Sequence, residues 1–335
     1  MISAGRAGTD AQATGGKDPR MTVTDNDLPV LADGDPQPVV AEIDGIPISG
    51  LLARARNPRA TLVALHGGAT TSLYFDCPGH PDLSLLRTAA AAGFTVLALD
   101  RPGYGRSHPY GAQLADPQLR VELMYRAIDH HLDTASRGAG VFLLAHSAGC
   151  ETAVRMAADA ERGPRLLGLE LSGTGRQRQP AAEEILAVRP RPDNVKVGRL
   201  LWEPARLYPP EHVGGGLIGS SGPGFEGKLV QEWAAEHFPE LAPRVRIPVR
   251  FTVADHEQVW RNDPAGLLEV AELFSAVPRL VLNIQQNSGH NISIGHTATA
   301  YHLEVLAFAA ECIVARENGE FSGPARQFDG MSAGS

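Results

Sequence analysis

A serine, an acidic residue and a histidine each follow a short apolar run, in that order along the chain: Ser147, Asp255 and His290. A serine hydroxyl is a weak nucleophile at neutral pH. It needs an imidazole to take its proton and a carboxylate to hold that imidazole in one tautomer. The three residue types together predict nucleophilic acyl chemistry, provided that the fold brings them to one place.

The turn around Ser147 has the pattern of a nucleophile elbow. The run Val141–Ala145 is apolar throughout, as in a strand buried on both faces, and apolar residues recur at helical spacing from Cys150 onward. A strand therefore becomes a helix within about three residues, and such a turn needs small neighbours, here Ala145, Ala148 and Gly149. The helix would direct its free N–H groups at an anion bound beside the serine. The motif is G-x-S-x-G with alanine at the first glycine.

Apolar runs that alternate with helical patterns predict an α/β fold with a mostly parallel central sheet and helices on both faces. In such a sheet the functional loops lie at the carboxyl ends of the strands, where the serine, the acid and the histidine all stand. A D-G pair at Asp44 and Gly45 predicts a hairpin ahead of these strands. The predicted strands are 61–65, 95–99, 141–145, 166–171, 249–253 and 280–284.

Several motifs together resemble the α/β-hydrolase superfamily, over roughly residues 39–317. They are LHGG from Leu65, LDRPGYGRS from Leu99, AHSAG from Ala145, the acid at Asp255 and SGHN from Ser288. The resemblance implies an α/β-hydrolase fold with an inserted cap. Because the nucleophile position holds a serine, the chain differs from the epoxide-hydrolase and haloalkane-dehalogenase branches, which use an aspartate there.

The resemblance also implies a role for each site residue. Ser147 is the expected nucleophile, His290 the general base and then acid, and Asp255 the carboxylate that orients the histidine. The backbone N–H groups of Gly68 and Ala148 are the expected donors of an oxyanion hole.

Three of these assignments have alternatives. The N–H of Ala69 is an alternative to that of Gly68 as the partner of Ala148 in the oxyanion hole. Glu257 lies two residues along the same loop as Asp255 and would serve as the acid equally well by residue type. His296 is an alternative to His290, although it adjoins the final helix, whereas the glycine before His290 suits a sharp loop.

A long segment without a clear strand, residues 175–242, predicts a cap inserted over the active site, because it is too long for a plain loop. Four side chains are expected to line its pocket: Tyr74, His146, Trp202 and Trp233. The predicted organisation is a disordered extension over 1–37, a core over 38–174 and 243–317, the cap over 175–242, and a flexible tail over 318–335.

The amino-acid composition argues against some classes of binding partner. The net charge is −8, without a run dense in Lys and Arg, which argues against nucleic acid and anionic membrane surfaces. No apolar run approaches the roughly 18 residues of a membrane span, and the amino terminus lacks the apolar region of a secretory signal. The three cysteines are far apart and odd in number, which indicates a reducing compartment. We therefore expect a cytoplasmic protein.

The expected reaction is hydrolysis of an ester, thioester or related carbonyl bond of a hydrophobic small molecule through an acyl-serine intermediate, as in a carboxylesterase or thioesterase. This chemistry needs no metal and no organic cofactor, and the sequence shows neither metal-ligand spacing nor a phosphate loop. The same Ser-His-Asp site would also suit an acyltransferase or cyclase, a lyase or a C–C bond hydrolase. A ligand receptor without catalysis is a further alternative.

Overall fold

The computed structural model describes residues 34–188 and 194–320. The predicted N-terminal extension up to residue 33 and the predicted tail from residue 321 lie outside the described residues. The first strand begins at Gln37, so the sheet starts one residue earlier than the predicted boundary.

One sheet forms the centre of the described chain. Its strands are β1 (Gln37–Ile43), β2 (Ile46–Ala53), β3 (Ala60–Leu65), β4 (Phe94–Leu99), β5 (Val141–His146), β6 (Gly168–Ser172), β7 (Val249–Ala254) and β8 (Leu280–Gln285). Their order is β1-β2-β4-β3-β5-β6-β7-β8. β2 pairs antiparallel with both β1 and β4, and the other neighbours are parallel. The predicted mostly parallel sheet is confirmed.

The hairpin between β1 and β2 closes where the sequence predicts. Asp44 and Gly45 have φ values of 52° and 78°. Two successive residues with positive φ form the type I′ turn whose twist matches that of paired antiparallel strands. The register then pairs Ile43 with Ile46.

Helices cover both faces of the sheet, as the sequence predicts. They are α1 (Leu85–Ala91), α2 (Pro117–His131), α3 (Gly149–Ala157), α4 (Pro180–Leu186), α5 (Asn194–Trp202), α6 (Glu226–Glu232), α7 (Phe238–Leu241), α8 (Pro264–Leu273) and α9 (Ala298–Glu317). Val63 and Leu65 of β3 pack into the layer that holds α2 and α3. Leu62 and Ala64 pack into the layer that holds α1 and α9. Alternation along a strand thus sends successive side chains into two separate cores.

Among the described helices, α9 is long and apolar enough to cross a membrane by length and composition alone. Half of its apolar window is buried, however, and side chains such as Tyr301, Val305 and Ala309 are fully enclosed in the core. These contacts are those of a core helix that packs on the sheet.

The segment between β6 and β7 is mainly helical and contains α4, α5, α6 and α7. It contacts the loops at the carboxyl ends of the strands. Arg178 pairs with Trp260 in an isolated bridge, and Thr70 pairs with Gly219. We refer to residues 175–242 as the cap.

Candidate active site

The turn from β5 into α3 holds Ser147 in a strained backbone conformation. Its φ is 50°, in the left-handed region that L-residues with side chains rarely adopt. The Ser147 N–H donates to the carbonyl of Ser172, at 2.8 Å. A Cβ at Gly149 would lie 2.4 Å from the carbonyl oxygen of Leu65, so only glycine lets α3 start this close to β3. The elbow motif is therefore a steric requirement of this turn.

The structure brings Ser147 and His290 together. His290 Nε2 lies 3.2 Å from Ser147 Oγ, which is within hydrogen-bond distance. The histidine follows β8 and is only 2% exposed. Its loop is fixed by the cap, because the Asn291 N–H donates to the Tyr208 hydroxyl at 3.2 Å.

The acid that contacts the histidine is Glu257, and the prediction of Asp255 for this position is wrong. Both carboxylate oxygens of Glu257 lie 3.0 Å from His290 Nδ1. Glu257 is 3% exposed and also accepts the N–H of Val259 at 2.8 Å. This arrangement fixes the tautomer with the proton on Nδ1, which leaves Nε2 free to accept the serine proton.

Asp255 instead holds the loop that follows β8. Its two carboxylate oxygens accept the N–H groups of Asn287 and Ser288, at 2.8 and 2.9 Å. The chain then turns, with the Glu257 N–H donating to the Ala254 carbonyl, and this turn brings Glu257 to the histidine. Because these N–H groups lie 32 and 33 residues away along the chain, no local sequence pattern signals the structural role of Asp255.

The alternative base His296 lies outside the site. It is exposed, and its backbone N–H donates to the carbonyl of Leu207, at 2.9 Å. It is absent from the walls of both cavities at Ser147.

The predicted oxyanion donors lie next to each other beside the serine. A Cβ built on Gly68 would lie 3.8 Å from the Cβ of Ala148. Within the described chain, neither residue's N–H donates to a protein acceptor, whereas the N–H of Ala69 donates to the Tyr104 hydroxyl at 3.0 Å. Two free N–H groups, one at the start of α3 and one in the loop after β3, are suited to bind an anion.

His66 holds the loop of residues 66–69, which carries Gly68. Its Nδ1 lies 2.7 Å from the carbonyl oxygen of Gly67, and its Nε2 accepts the N–H of Arg101 at 3.0 Å. Burial, reinforced by the charge of Arg101, lowers the pKa of His66 to about 4. The neutral ring is therefore a structural link in this loop.

A buried network links this loop to the cap. The Arg101 guanidinium donates to the carbonyls of His66 and Gly67, at 2.6 and 3.0 Å, and to Oε1 of Glu226 at 2.6 Å. The Tyr104 hydroxyl donates to Oε2 of the same carboxylate. Burial alone would raise the pKa of Glu226, but the charge of Arg101 and the hydrogen bonds from Tyr104 and Arg101 together outweigh it and hold that pKa below its ordinary value. Glu226, the first residue of α6, thus ties the cap to the loop of residues 66–69.

We expect Glu226→Gln to lower the free energy of unfolding by about 2–3 kcal/mol, because it removes the charge that compensates a buried arginine. Chemical denaturation measures this loss. Glu232→Gln in the same helix is the matched control: Glu232 is 30% exposed and ion-paired with Lys228, so its loss should be below about 1 kcal/mol. Equal losses in the two variants would contradict a structural link through Glu226.

His146 lies against His290 as a neutral ring. It stacks on Tyr74, with ring centroids 4.7 Å apart, and lies 5.0 Å from the ring of His290. Burial, together with the charge of His290, lowers the pKa of His146 well below its ordinary value. A neutral neighbour does not oppose a positive charge on His290.

Two cavities meet at Ser147. The larger one, of about 240 Å³, is lined by His146, His290 and helix α5 among others, and the smaller one, of about 40 Å³, by Trp233 among others. Two predicted pocket residues, His146 and Trp233, therefore lie in the walls. The predictions of Tyr74 and Trp202 as pocket residues are wrong, because neither lines these cavities: Tyr74 supports His146 from behind, and Trp202 packs on Tyr208 in the core.

Trp260 and Glu226 are site residues that the sequence analysis does not predict. Trp260 lines both cavities and Glu226 lines the larger one. Trp260 lies in the loop after β7, three residues beyond Glu257, so an aromatic residue near the candidate acid was a usable signal. Glu226 had only an indirect signal, since Arg101 lies two residues after a buried strand and needs an anionic partner.

Within residues 34–188 and 194–320, no group of three or more His, Cys, Asp or Glu side chains is placed to hold a metal ion.

The chain belongs to the alpha/beta hydrolase family. This family and the fold define the protein as a hydrolase. The sequence model of this family matches residues 62–301, which include Ser147, Glu257 and His290. The strand order and the elbow agree with this assignment.

Individual proteins that are similar to this chain agree with the family assignment, although their sequence identity is low or covers a short segment. Protein ABHD14A of Danio rerio is 39% identical over 72 residues, 22% of this chain, and the chain spans about a quarter of that protein's length, 24%. A thermostable carboxyl esterase from Bacillus coagulans is similar in structure, with a TM-score of 0.59 and 18% identity over 83% of this chain and 99% of that chain. A monoglyceride lipase from Saccharomyces cerevisiae has a TM-score of 0.60 and 13% identity over 83% and 95%. At these identities the structures show the shared fold.

Proposed function

We propose that this chain is a serine hydrolase that cleaves an ester, thioester or related carbonyl bond of a hydrophobic small molecule through an acyl-serine intermediate. The observation that carries the proposal is the continuous relay from Ser147 Oγ to His290 Nε2, at 3.2 Å, and from His290 Nδ1 to Glu257, at 3.0 Å. A serine, a base and an orienting acid within hydrogen-bond distance are the arrangement that activates a hydroxyl.

In the acylation step Ser147, His290 and Glu257 each have one role. Ser147 Oγ attacks the carbonyl carbon as its proton moves to His290 Nε2, and Glu257 stabilises the resulting imidazolium. The N–H groups of Gly68 and Ala148 bind the oxyanion of the tetrahedral intermediate. The bond to the leaving group then breaks, and His290 Nε2 returns the proton to the departing oxygen or sulfur atom.

Deacylation repeats these steps with water. His290 Nε2 takes a proton from a water molecule, whose oxygen attacks the acyl carbonyl of the Ser147 ester. Collapse of the second tetrahedral intermediate releases the carboxylic acid and returns the proton to Ser147 Oγ. Atoms and charge balance without a further reactant.

The walls of the cavities support a hydrophobic substrate. Leu200, Leu201 and Val259 line the larger cavity, and Leu229 lines the smaller one. Apolar walls with a few convergent polar groups are typical of small-molecule sites. Three charged residues of the described chain also line the cavities, and each has a partner of opposite charge: Glu226 pairs with Arg101, Arg178 with Glu183, and Glu151 with Arg120 and Arg155.

Intact-protein mass spectrometry after exposure to a fluorophosphonate tests the proposal, together with turnover of p-nitrophenyl acetate. We expect one adduct, mapped by peptide analysis to Ser147, and ester hydrolysis that the adduct abolishes. Ser172 supplies an internal control, because it is a buried serine at the end of β6 and should carry no adduct.

An adduct on Ser147 without hydrolysis of any ester would contradict hydrolysis and favour transfer of the acyl group to another acceptor. No adduct and no turnover would contradict an activated serine and favour the receptor alternative.

A further inference from the structure

The two cavities at Ser147 differ sixfold in size and share the serine, Ala148, Val230 and Trp260 as common walls. A substrate carbonyl bound beside Ser147 must therefore place one of its substituents in each cavity. The question that decides the substrate class is which cavity holds the acyl chain and which holds the leaving group.

The position of His290 answers this question. His290 lines the larger cavity and is absent from the walls of the smaller one. In the breakdown of the tetrahedral intermediate, Nε2 gives its proton to the leaving atom, so the leaving group must lie on the histidine's side. The larger cavity therefore receives the leaving group, and the acyl chain extends away from the histidine into the smaller one.

The volume of the smaller cavity limits the acyl chain. A space of about 10–15 Å³ accommodates one water-sized group. A cavity of about 40 Å³ accommodates about three such groups. A cavity of about 240 Å³ accommodates a leaving group several times larger.

Fixed side chains form part of the wall of the smaller cavity. The Trp233 indole N–H donates to Thr174 Oγ1 at 2.9 Å, and its ring stacks on Phe238 with centroids 4.8 Å apart. Glu151 is held by Arg120, at 3.0 Å, and by Arg155. Because these walls are hydrogen-bonded or ion-paired, a longer acyl chain would have to displace buried contacts.

We propose that the smaller cavity is an acyl site for short chains, so that the substrates are acetyl to butyryl esters or thioesters with a bulky, largely apolar leaving group. This proposal rests on the proposed hydrolase function and names its substrate class. Trp233 and Leu229 set the chain-length limit, because they line the smaller cavity and are absent from the walls of the larger one.

The test compares kcat/KM for p-nitrophenyl acetate, butyrate, hexanoate and octanoate, which share one aromatic leaving group. One methylene group too many in a hydrophobic pocket changes specificity by about 10–200-fold. We expect kcat/KM to fall at least about tenfold between butyrate and hexanoate, and again at octanoate.

Two leucine variants locate the acyl chain. Leu229→Ala enlarges the smaller cavity and should raise hexanoate turnover relative to acetate by about tenfold. Leu186→Ala removes the same atoms from the larger cavity alone, so the order of the acyl series should stay as in the parent protein. Both leucines are half-buried at the surface of the cap, which favours a folded variant.

Octanoate turnover equal to or above acetate turnover would overturn the proposal. A change in chain-length preference with Leu186→Ala instead of Leu229→Ala would place the acyl chain in the larger cavity and overturn it as well. Failure of the proposed hydrolase function gives a different result from failure of the acyl-site proposal. Every ester would then be inert, and Ser147 would carry no fluorophosphonate adduct.

Discussion

Ser147→Ala is expected to lower ester turnover by about 10⁶-fold, because the acyl intermediate has no other oxygen on which to form. The fold should be unchanged. The serine contributes its N–H to the Ser172 carbonyl, and alanine keeps this bond together with the same Cβ. Equal far-ultraviolet circular dichroism and an equal denaturation midpoint, measured beside the loss of turnover, would separate chemistry from folding.

A second variant, Ser147→Gly, tests whether the backbone at position 147 is strained. Glycine adopts a φ of 50° without the steric cost that a Cβ carries there. We expect this variant to be as inactive as Ser147→Ala and more stable by about 1 kcal/mol. A glycine variant less stable than the alanine variant would show that the elbow stores no backbone strain, and retained turnover in either variant would refute the serine mechanism.

Local sequence patterns were sufficient to predict the sheet and the serine turn. Buried parallel strands appear as short apolar runs, and a D-G pair predicts the hairpin because two positive φ values follow each other at Asp44 and Gly45. The elbow is predictable because a Cβ at Gly149 would collide with the Leu65 carbonyl, so the sequence must hold a glycine there. These constraints act within a few residues.

The acid and most of the pocket depend on constraints that act over longer distances. Asp255 and Glu257 both follow β7, and a single turn, closed by the Glu257 N–H, decides which carboxylate meets His290. Tyr74 and Trp202 were plausible wall residues by type, yet cap packing buries Trp202 against Tyr208. Side-chain direction after a turn depends on the partners that the fold supplies, and the local pattern does not contain this information.

The cap contributes to the site in two ways that the sequence does not reveal. Through Glu226 it neutralises Arg101 and fixes the loop that carries Gly68, and through Tyr208 it holds the loop of His290. Cap residues therefore help to position the proposed oxyanion donor Gly68 and the proposed base His290. Movement of the cap would change the geometry of both.

Glu257→Gln is expected to lower kcat by about 10³–10⁴-fold, since an amide stabilises the imidazolium poorly and favours the wrong tautomer of His290. Its matched control is Asp255→Asn, the same carboxylate-to-amide change in the same loop. The Asp255 oxygens accept two backbone N–H groups, one of which an asparagine oxygen still accepts. The expected loss for Asp255→Asn is about 1 kcal/mol of stability and less than tenfold in kcat.

The ratio of the two losses in kcat is the decisive quantity, because both changes remove one carboxylate charge from the same loop after β7. A general field effect would lower kcat similarly in both variants, whereas direct contact at 3.0 Å predicts a difference of at least about 100-fold. Steady-state kinetics with p-nitrophenyl acetate and the rate of fluorophosphonate labelling should give the same order. If Asp255→Asn were the more damaging change, Asp255 would be the catalytic acid, and the turn that brings Glu257 to His290 would have to be different in solution.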